Sequence, residues 1–225
     1  LCLICARKGS KGIKNKNMIP INNKRLIDIT IAHANHSKIF NKIVISTDSI
    51  KIQKHVNLKK KLSWFVRPKN ISGDEVSKLE VIRHGLHISE KKFKTKFDII
   101  CDLDVTAPLR KKIDIINAYK KFIKFDNDIL FSVCEAKKNP YFNLVEQFKN
   151  KTLLVKKRKK NIFSRQKAPR VFEMNASIYF WKRKALLKRK NLFGDKVGIY
   201  EMPRERSIDI DDYLDLKIVR SLTKL

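Results

Sequence analysis

Short apolar runs alternate with amphipathic stretches along most of this chain. Leu1-Cys2-Leu3-Ile4-Cys5 is continuously apolar, the pattern of a strand buried on both faces. Ile43-Val44-Ile45, Leu62-Ser63-Trp64-Phe65, Phe97-Asp98-Ile99-Ile100-Cys101 and Ile129-Leu130-Phe131-Ser132-Val133 repeat it. Helical stripes fall between them: Ile27, Ile31 and Ala34; then Val76, Leu79, Ile82 and Leu86 in a helix opened by Gly73-Asp74; then Ile113, Ile116 and Tyr119. Thr47-Asp48-Ser49 supplies capping residues for a further short helix. Strands alternating with helices predict an α/β fold, a mostly parallel, doubly wound, Rossmann-like sheet. Over 135–166 the pattern breaks: Asn139-Pro140-Tyr141-Phe142 and the run Lys156-Lys157-Arg158-Lys159-Lys160 do not fit a strand–helix unit. That segment reads as an inserted hairpin serving a partner subunit or a lid, within a single domain over 1–225. The sheet resumes with Ser177-Ile178-Tyr179-Phe180-Trp181, then a short helix near Ala185 and a strand at 197–200. A last helix carries Leu214, Ile218 and Leu222 on its stripe. No internal repeat is visible.

Composition narrows the class. The 225 residues are 43% hydrophobic, enough for a packed core, and no window approaches a membrane-spanning length. The opening apolar run is too short for a signal peptide, and the absence of an initial Met leads us to expect a few residues before Leu1. Cys2, Cys5, Cys101 and Cys134 all lie in strand-like runs. Cys2 and Cys5 would point to opposite faces of a strand, so a metal or redox pair is disfavoured and a reducing cytoplasm is expected. Lys+Arg 52 against Asp+Glu 22 gives a net charge of +30. The cations are scattered, and few aromatics are interleaved with them, so specific nucleic-acid binding is not the main expectation.

Candidate chemistry gathers at strand ends, where ligands of such sheets sit. After the first strand comes Ala6-Arg7-Lys8-Gly9-Ser10-Lys11-Gly12-Ile13-Lys14-Asn15-Lys16-Asn17. Its glycines allow close backbone approach to oxyanions, and Arg7, Lys11 and Lys16 supply charge. It is neither a Walker loop nor a dinucleotide fingerprint. Asp48, Arg67 and Asp104 follow other strands. Asp209-Ile210-Asp211 places two carboxylates on one side of an extended segment, fit for Mg²⁺ beside a polyphosphate. The same spacing also suits Asp211 as a helix cap with Asp209 paired to a lysine. Asp102-Leu103-Asp104 is a second pair able to take metal. The five histidines, His33, His36, His55, His84 and His87, fall on predicted helices away from these loops. No Gly-x-Ser-x-Gly elbow or histidine-metal spacing is present, so covalent hydrolysis and zinc chemistry are disfavoured.

The glycine loop, Ser46-Thr47-Asp48, Arg67-Pro68, Thr106-Ala107-Pro108-Leu109-Arg110, Arg165-Gln166, Asn175-Ala176-Ser177-Ile178-Tyr179 and Ser207-Ile208-Asp209-Ile210-Asp211 occur in one order. In that order, over essentially the whole chain, they resemble the acylneuraminate cytidylyltransferases. Leu103-Asp104-Val105-Thr106 and Asn139-Pro140-Tyr141-Phe142 look most like the bacterial CMP-legionaminate synthetase branch. The resemblance implies a nucleotidyltransferase-type fold and transfer of CMP from CTP to the anomeric hydroxyl of a nine-carbon sugar acid. Pyrophosphate would leave, Mg²⁺ would be the cofactor, and no covalent enzyme intermediate would form. By position it implies that Arg7, Lys11 and Lys16 hold the triphosphate, with Asn17 beside the nucleotide and Arg67 and Ser77 at the cytidine. It further implies Asp209 and Asp211 as metal ligands, with deprotonation of the attacking hydroxyl assisted near Asp211. Asp104, Arg165, Gln166, Asn175 and Tyr179 would face the sugar, and 135–166 would form a homodimer contact completing the partner's site.

There are departures from the family. Asp104-Val105 stands where the sialic acid enzymes usually carry Gln-Pro, Ala107 where they carry Ser, and Asn175-Ala176 where Asn-Gly is usual. A carboxylate in place of an amide accepts hydrogen bonds only, which favours a diamino-dideoxy sugar with extra N–H donors over N-acetylneuraminate. An octulosonate-type synthetase is the competing enzyme reading. A polyanion-binding protein that keeps the fold without activity is the competing non-enzyme reading.

Overall fold

Side chains in the sheet divide strictly by alternation. Cys2, Ile4, Ile45, Cys101, Leu103, Leu130, Ile178 and Phe180 enter one apolar layer. Leu1, Leu3, Val44, Ile100, Ile129, Phe131, Tyr179 and Trp181 enter the other. Both faces of the sheet are thus buried, which is why its strands read as unbroken apolar runs. The computed structural model describes residues 1–10, 12–59, 62–73, 75–156, 166 and 168–223.

In chain order the elements are β1 (Cys2–Cys5), a small hairpin of β2 (Pro20–Ile21) and β3 (Lys24–Arg25), α1 (Leu26–Ser37) and β4 (Ile43–Thr47). Next come α2 (Ile50–Asn57), β5 (Ser63–Val66), α3 (Lys78–Phe93), β6 (Ile99–Leu103), α4 (Lys112–Lys124) and β7 (Ile129–Glu135). A second hairpin, β8 (Val145–Phe148) with β9 (Lys151–Leu154), precedes β10 (Phe172–Lys182), α5 (Arg183–Lys188), β11 (Val197–Glu201) and α6 (Tyr213–Leu222). The seven-stranded sheet has the order β11-β7-β10-β6-β1-β4-β5. β10 alone runs antiparallel, between β6 and β7. Helices α1, α2, α4 and α6 contribute to one layer and α3 and α5 to the other, so the sheet is doubly wound.

Local sequence accounts for most boundaries. Asn22 and Asn23 take positive φ (44° and 63°), the pairing that closes a two-residue hairpin between β2 and β3. The Ser49 hydroxyl caps α2, and that of Ser77 caps α3 by accepting from the Glu80 N–H (3.2 Å). The third helix therefore begins at Lys78, not at Gly73. Ala176 sits at φ 45° inside an irregularity of β10, a left-handed conformation that glycine tolerates and alanine does not favour. The hairpin β8–β9 lies inside the 135–166 segment and presents Val145 and Phe148 to solvent. On α4 and α6 the buried stripes are offset from the expected ones. Ile115, Ala118 and Phe122 are buried where Ile113 is exposed, and Leu216 and Val219 are buried where Leu214, Ile218 and Leu222 are exposed. The four cysteines are free, in β1, β6 and β7, and the five histidines all lie on helices.

Candidate active site

The parallel strands β1, β5 and β6 end at one edge of the sheet, and their following loops enclose a cleft of about 530 Å³. Arg7, Lys16 and Asn17 come from the loop after β1, Arg67 from the end of β5, Lys78 from the start of α3, and Asp104 and Thr106 from beyond β6. Asp209 and Asp211 reach it from the segment before α6.

Each wall is fixed by backbone contacts. The Asn17 amide donates to the Arg7 carbonyl (3.0 Å), and the Lys8 N–H donates to the Asp48 carboxylate (2.7 Å), which pins the glycine loop to the end of β4. Arg67 is buried, and its guanidinium donates to the hydroxyl and carbonyl of Ser46 (3.1 and 3.0 Å). The Ile210 N–H donates to the Thr106 carbonyl (2.9 Å), and its side chain is fully buried, so Asp209 and Asp211 are carried along the end of β6. Gly12 lies against that acidic segment, where a Cβ would collide with the Asp211 carbonyl oxygen. Close chain packing is therefore what this glycine supplies; Gly9 faces open space. Opposite charges meet directly across the cleft, with Lys16 Nζ 3.0 Å from Asp211 Oδ1. Asp212, not Asp211, caps α6, accepting from the Leu214 and Asp215 N–H groups (2.8 and 3.0 Å). Asp211 is thereby left to the cleft.

The two carboxylate pairs differ in environment. Lys78 Nζ stands 2.8 Å from Asp102 Oδ2 and 2.7 Å from Asp104 Oδ2, above the Tyr179 ring (4.5 Å). Burial works against the lysine charge, but the two aspartates outweigh it and raise its pKa well above the ordinary lysine value. Burial likewise opposes Asp104 ionisation, yet Lys78 and Thr106 hold that carboxyl below its usual value, while burial pushes Asp102 up. Among the described residues no cation forms an ion pair with Asp209, although the Thr106 hydroxyl and the Lys16 charge favour its ionised form. Burial first, then the charge of Asp104, raises it to about 6, and its Oδ1 is buried with no hydrogen-bond partner. An orphaned buried carboxylate oxygen beside a second carboxylate suits a hard divalent cation. Among the described residues no three metal-ligating side chains converge, so a cation here would draw its remaining ligands from phosphate and water.

A family model described as Cytidylyltransferase matches residues 1–219. The chain belongs to the cytidylyltransferase family. This cytidylyltransferase is 45% identical over 225 residues to the CMP-N,N'-diacetyllegionaminic acid synthase of Campylobacter jejuni, a match covering all of this chain and 95% of that one. It is 43% identical over 224 residues to the post-translational flagellin modification protein B of Campylobacter coli, covering 100% and 94% of the two chains. Among solved structures, CMP:2-keto-3-deoxy-manno-octonic acid synthetase complexed with CTP superposes with a TM-score of 0.71 at 16% identity, covering 100% and 98%, a likeness of fold. Among the described residues no helix is long and apolar enough to cross a membrane.

Of the residues singled out from the sequence, Arg7, Lys16, Asn17, Arg67, Asp104, Asp209 and Asp211 line this cytidylyltransferase's cleft together. Ser77 sits between cleft-lining Val76 and Lys78, with its hydroxyl accepting the α3 cap bond. Tyr179 is buried beneath Lys78. The Asn175 amide turns into the chain interior, accepting from the Ser132 hydroxyl (2.6 Å) and donating to that of Ser207 (2.9 Å). Gln166 lines a separate recess with Glu135, Asn139 and Arg170. Lys11 and Arg165 lie outside the described residues. Lys78 escaped the sequence reading. Its signal was faint but physical: a cation in the first turn of a helix opposes the helix dipole.

Proposed function

We propose that this protein transfers CMP from CTP to the anomeric hydroxyl of a nine-carbon sugar acid of the legionaminic or sialic type, releasing pyrophosphate. The observation that carries the proposal is the meeting of the glycine loop and the acidic segment, Lys16 against Asp211, in one cleft at the carboxyl edge of the sheet. Family membership and 45% identity to a CMP-N,N'-diacetyllegionaminic acid synthase support the choice of substrates.

The side chains suit that reaction. Attack on the α-phosphorus gathers charge on the phosphoryl oxygens and on the leaving pyrophosphate, and fixed cations stabilise it without reorganising. Arg7 and Lys16 stand on that wall, with Lys11 in the same loop as a further candidate. Asn17 and Arg67, each tied to backbone, shape the nucleotide side, and Ser77 orders the start of α3 beside it. Asp209 and Asp211 would hold Mg²⁺, which when bound neutralises phosphate charge. Asp211, ion-paired to Lys16, is our candidate for the place near which deprotonation of the attacking hydroxyl is assisted. Asp104 offers acceptor oxygens to the sugar. Arg165, Gln166, Asn175 and Tyr179 remain candidates for the sugar side, Asn175 and Tyr179 from beneath the surface residues that cover them. A homodimer through the 135–166 segment belongs to the same reading, supported by the exposed apolar residues of β8. So does the cytoplasm, where four free thiols are at ease.

The test is mass spectrometry of products from CTP, Mg²⁺ and a panel containing N,N'-diacetyllegionaminic acid, N-acetylneuraminic acid and an eight-carbon octulosonate. A CMP adduct of a nine-carbon acid with stoichiometric pyrophosphate is expected. An adduct of the octulosonate alone would move the substrate to that class, and no adduct with salt-sensitive polyanion binding would leave the non-enzymatic reading.

A further inference from the structure

Lys78 stands in the first turn of α3, where the Ser77 hydroxyl accepts from the Glu80 N–H and the acidic Glu80 suits the helix dipole as a cation does not. Its place is explained by what its ammonium touches. Nζ bridges Oδ2 of Asp102 and Oδ2 of Asp104 at 2.8 and 2.7 Å and rests over the Tyr179 ring. Asp104 is then fixed from every side. Its Oδ1 accepts from the Thr106 hydroxyl (3.1 Å), its N–H donates to the Ser177 carbonyl (3.2 Å), and its own carbonyl accepts from the buried Arg110 guanidinium (3.2 Å). Each carboxylate oxygen has two acceptor sites, so capacity remains toward the cleft that Asp104 lines. Without the ammonium, that carboxylate would face Asp209, Asp211 and a bound triphosphate with no cation of its own.

We propose that Lys78 is a positioning residue for sugar selection, holding Asp104 as an aimed, charge-balanced acceptor for an N–H or O–H donor on the acceptor sugar. This rests on the transferase reading above. It makes the specificity element a unit of Lys78, Asp102 and Asp104, joining the start of α3 to the end of β6 and the residue after it.

The unit makes Lys78 matter for the sugar and not for the nucleotide, and only while Asp104 is a carboxylate. The experiment compares wild type, Lys78→Met, Lys78→Arg, Asp104→Asn and the double variant Lys78→Met/Asp104→Asn. Steady-state kinetics would be measured with the preferred sugar, and CTP and sugar binding by calorimetry. Lys78→Met should raise the sugar KM about tenfold to a hundredfold, the worth of a charged hydrogen bond, with the CTP KM and kcat little changed. Lys78→Arg should recover much of that loss. In the Asp104→Asn background, Lys78→Met should have little further effect. A CTP KM that rises with the sugar KM overturns the proposal, because Lys78 would then support the whole cleft or touch phosphate. Additive losses overturn it too, because Lys78 would then contact the sugar itself. Loss of both ligands by Lys78→Met and Lys78→Arg alike also counts against it. Wild type that neither binds nor converts any sugar of the panel removes the transferase reading, and this inference with it.

Discussion

Asp102-Leu103-Asp104 and Asp209-Ile210-Asp211 place carboxylates at the same spacing, and both serve one cleft. The first pair, at the end of a central strand, is closed by a cation of the chain itself, Lys78. The second lies on an extended segment whose middle residue is buried. Lys16 forms its ion pair with Asp211, and among the described residues no cation forms one with Asp209. Spacing made the two pairs equal candidates for metal. The group standing opposite each pair separates them, and that group comes from a distant part of the chain.

Asp209 is where the two pairs should differ most. Asp209→Asn should lower pyrophosphate release about a hundredfold to a thousandfold, the scale of losing a preorganised charge at a phosphoryl-transfer site, while Asp102→Asn costs far less. Equal losses would erase the distinction between the pairs. The same variant has a stability signature of opposite sign. Because Asp209 titrates near 6 in the fold, the protonated form is favoured. Metal-free protein therefore holds this stabilisation in full below the ordinary carboxylate range and loses it as pH rises through about 6, a change of about 2–3 kcal/mol at most. Asp209→Asn removes that step, so near neutral pH it should melt above metal-free wild type. A lower melting temperature would mean that Asp209 is already compensated.

A middling effect is expected at Gly12. Gly12→Ala forces the Asp211 backbone away from the loop and should cost about 1–3 kcal/mol of stability along with a fall in kcat. Thermal melting and turnover without change would show that the two walls are not in register through this contact. The smallest effect falls beside the other pair. Ala176 precedes Ser177, whose carbonyl receives the Asp104 N–H, and it sits at positive φ. Ala176→Gly should relieve strain and stabilise the protein by about 0.5–1 kcal/mol, with the sugar KM little altered.

Most of the sheet was legible because strands buried on both faces leave unbroken apolar runs, and the charged loops fell where those runs end. What was not legible required knowledge of the other partner. Nothing in Ser177-Ile178-Tyr179-Phe180-Trp181 encodes that β10 runs against its neighbours, since periodicity carries no direction. The α6 stripe of Leu214, Ile218 and Leu222 is regular, but burial fell on Leu216 and Val219 because the capped start at Asp212 fixes how the helix meets the sheet. Ser77 with Glu80 was a readable capping signal that Gly73-Asp74 overshadowed. Asn175 matched a family motif, and the motif carries no sign that its amide bonds Ser132 and Ser207. Lys78 was hidden by composition: among 52 Lys and Arg, one more lysine at a helix start carries little information.

The contact of Gly12 with Asp211 ties together stretches nearly the whole chain apart; the neighbouring Lys16 and Asp211 are separated by 195 positions. During synthesis, the ribosome must pass residue 211 before the two walls can meet. An emerging chain can complete most of its sheet while still catalytically silent; once β11 has paired with β7, Asp211 is only a short tether away, and closing the two walls is a late but local step in maturation.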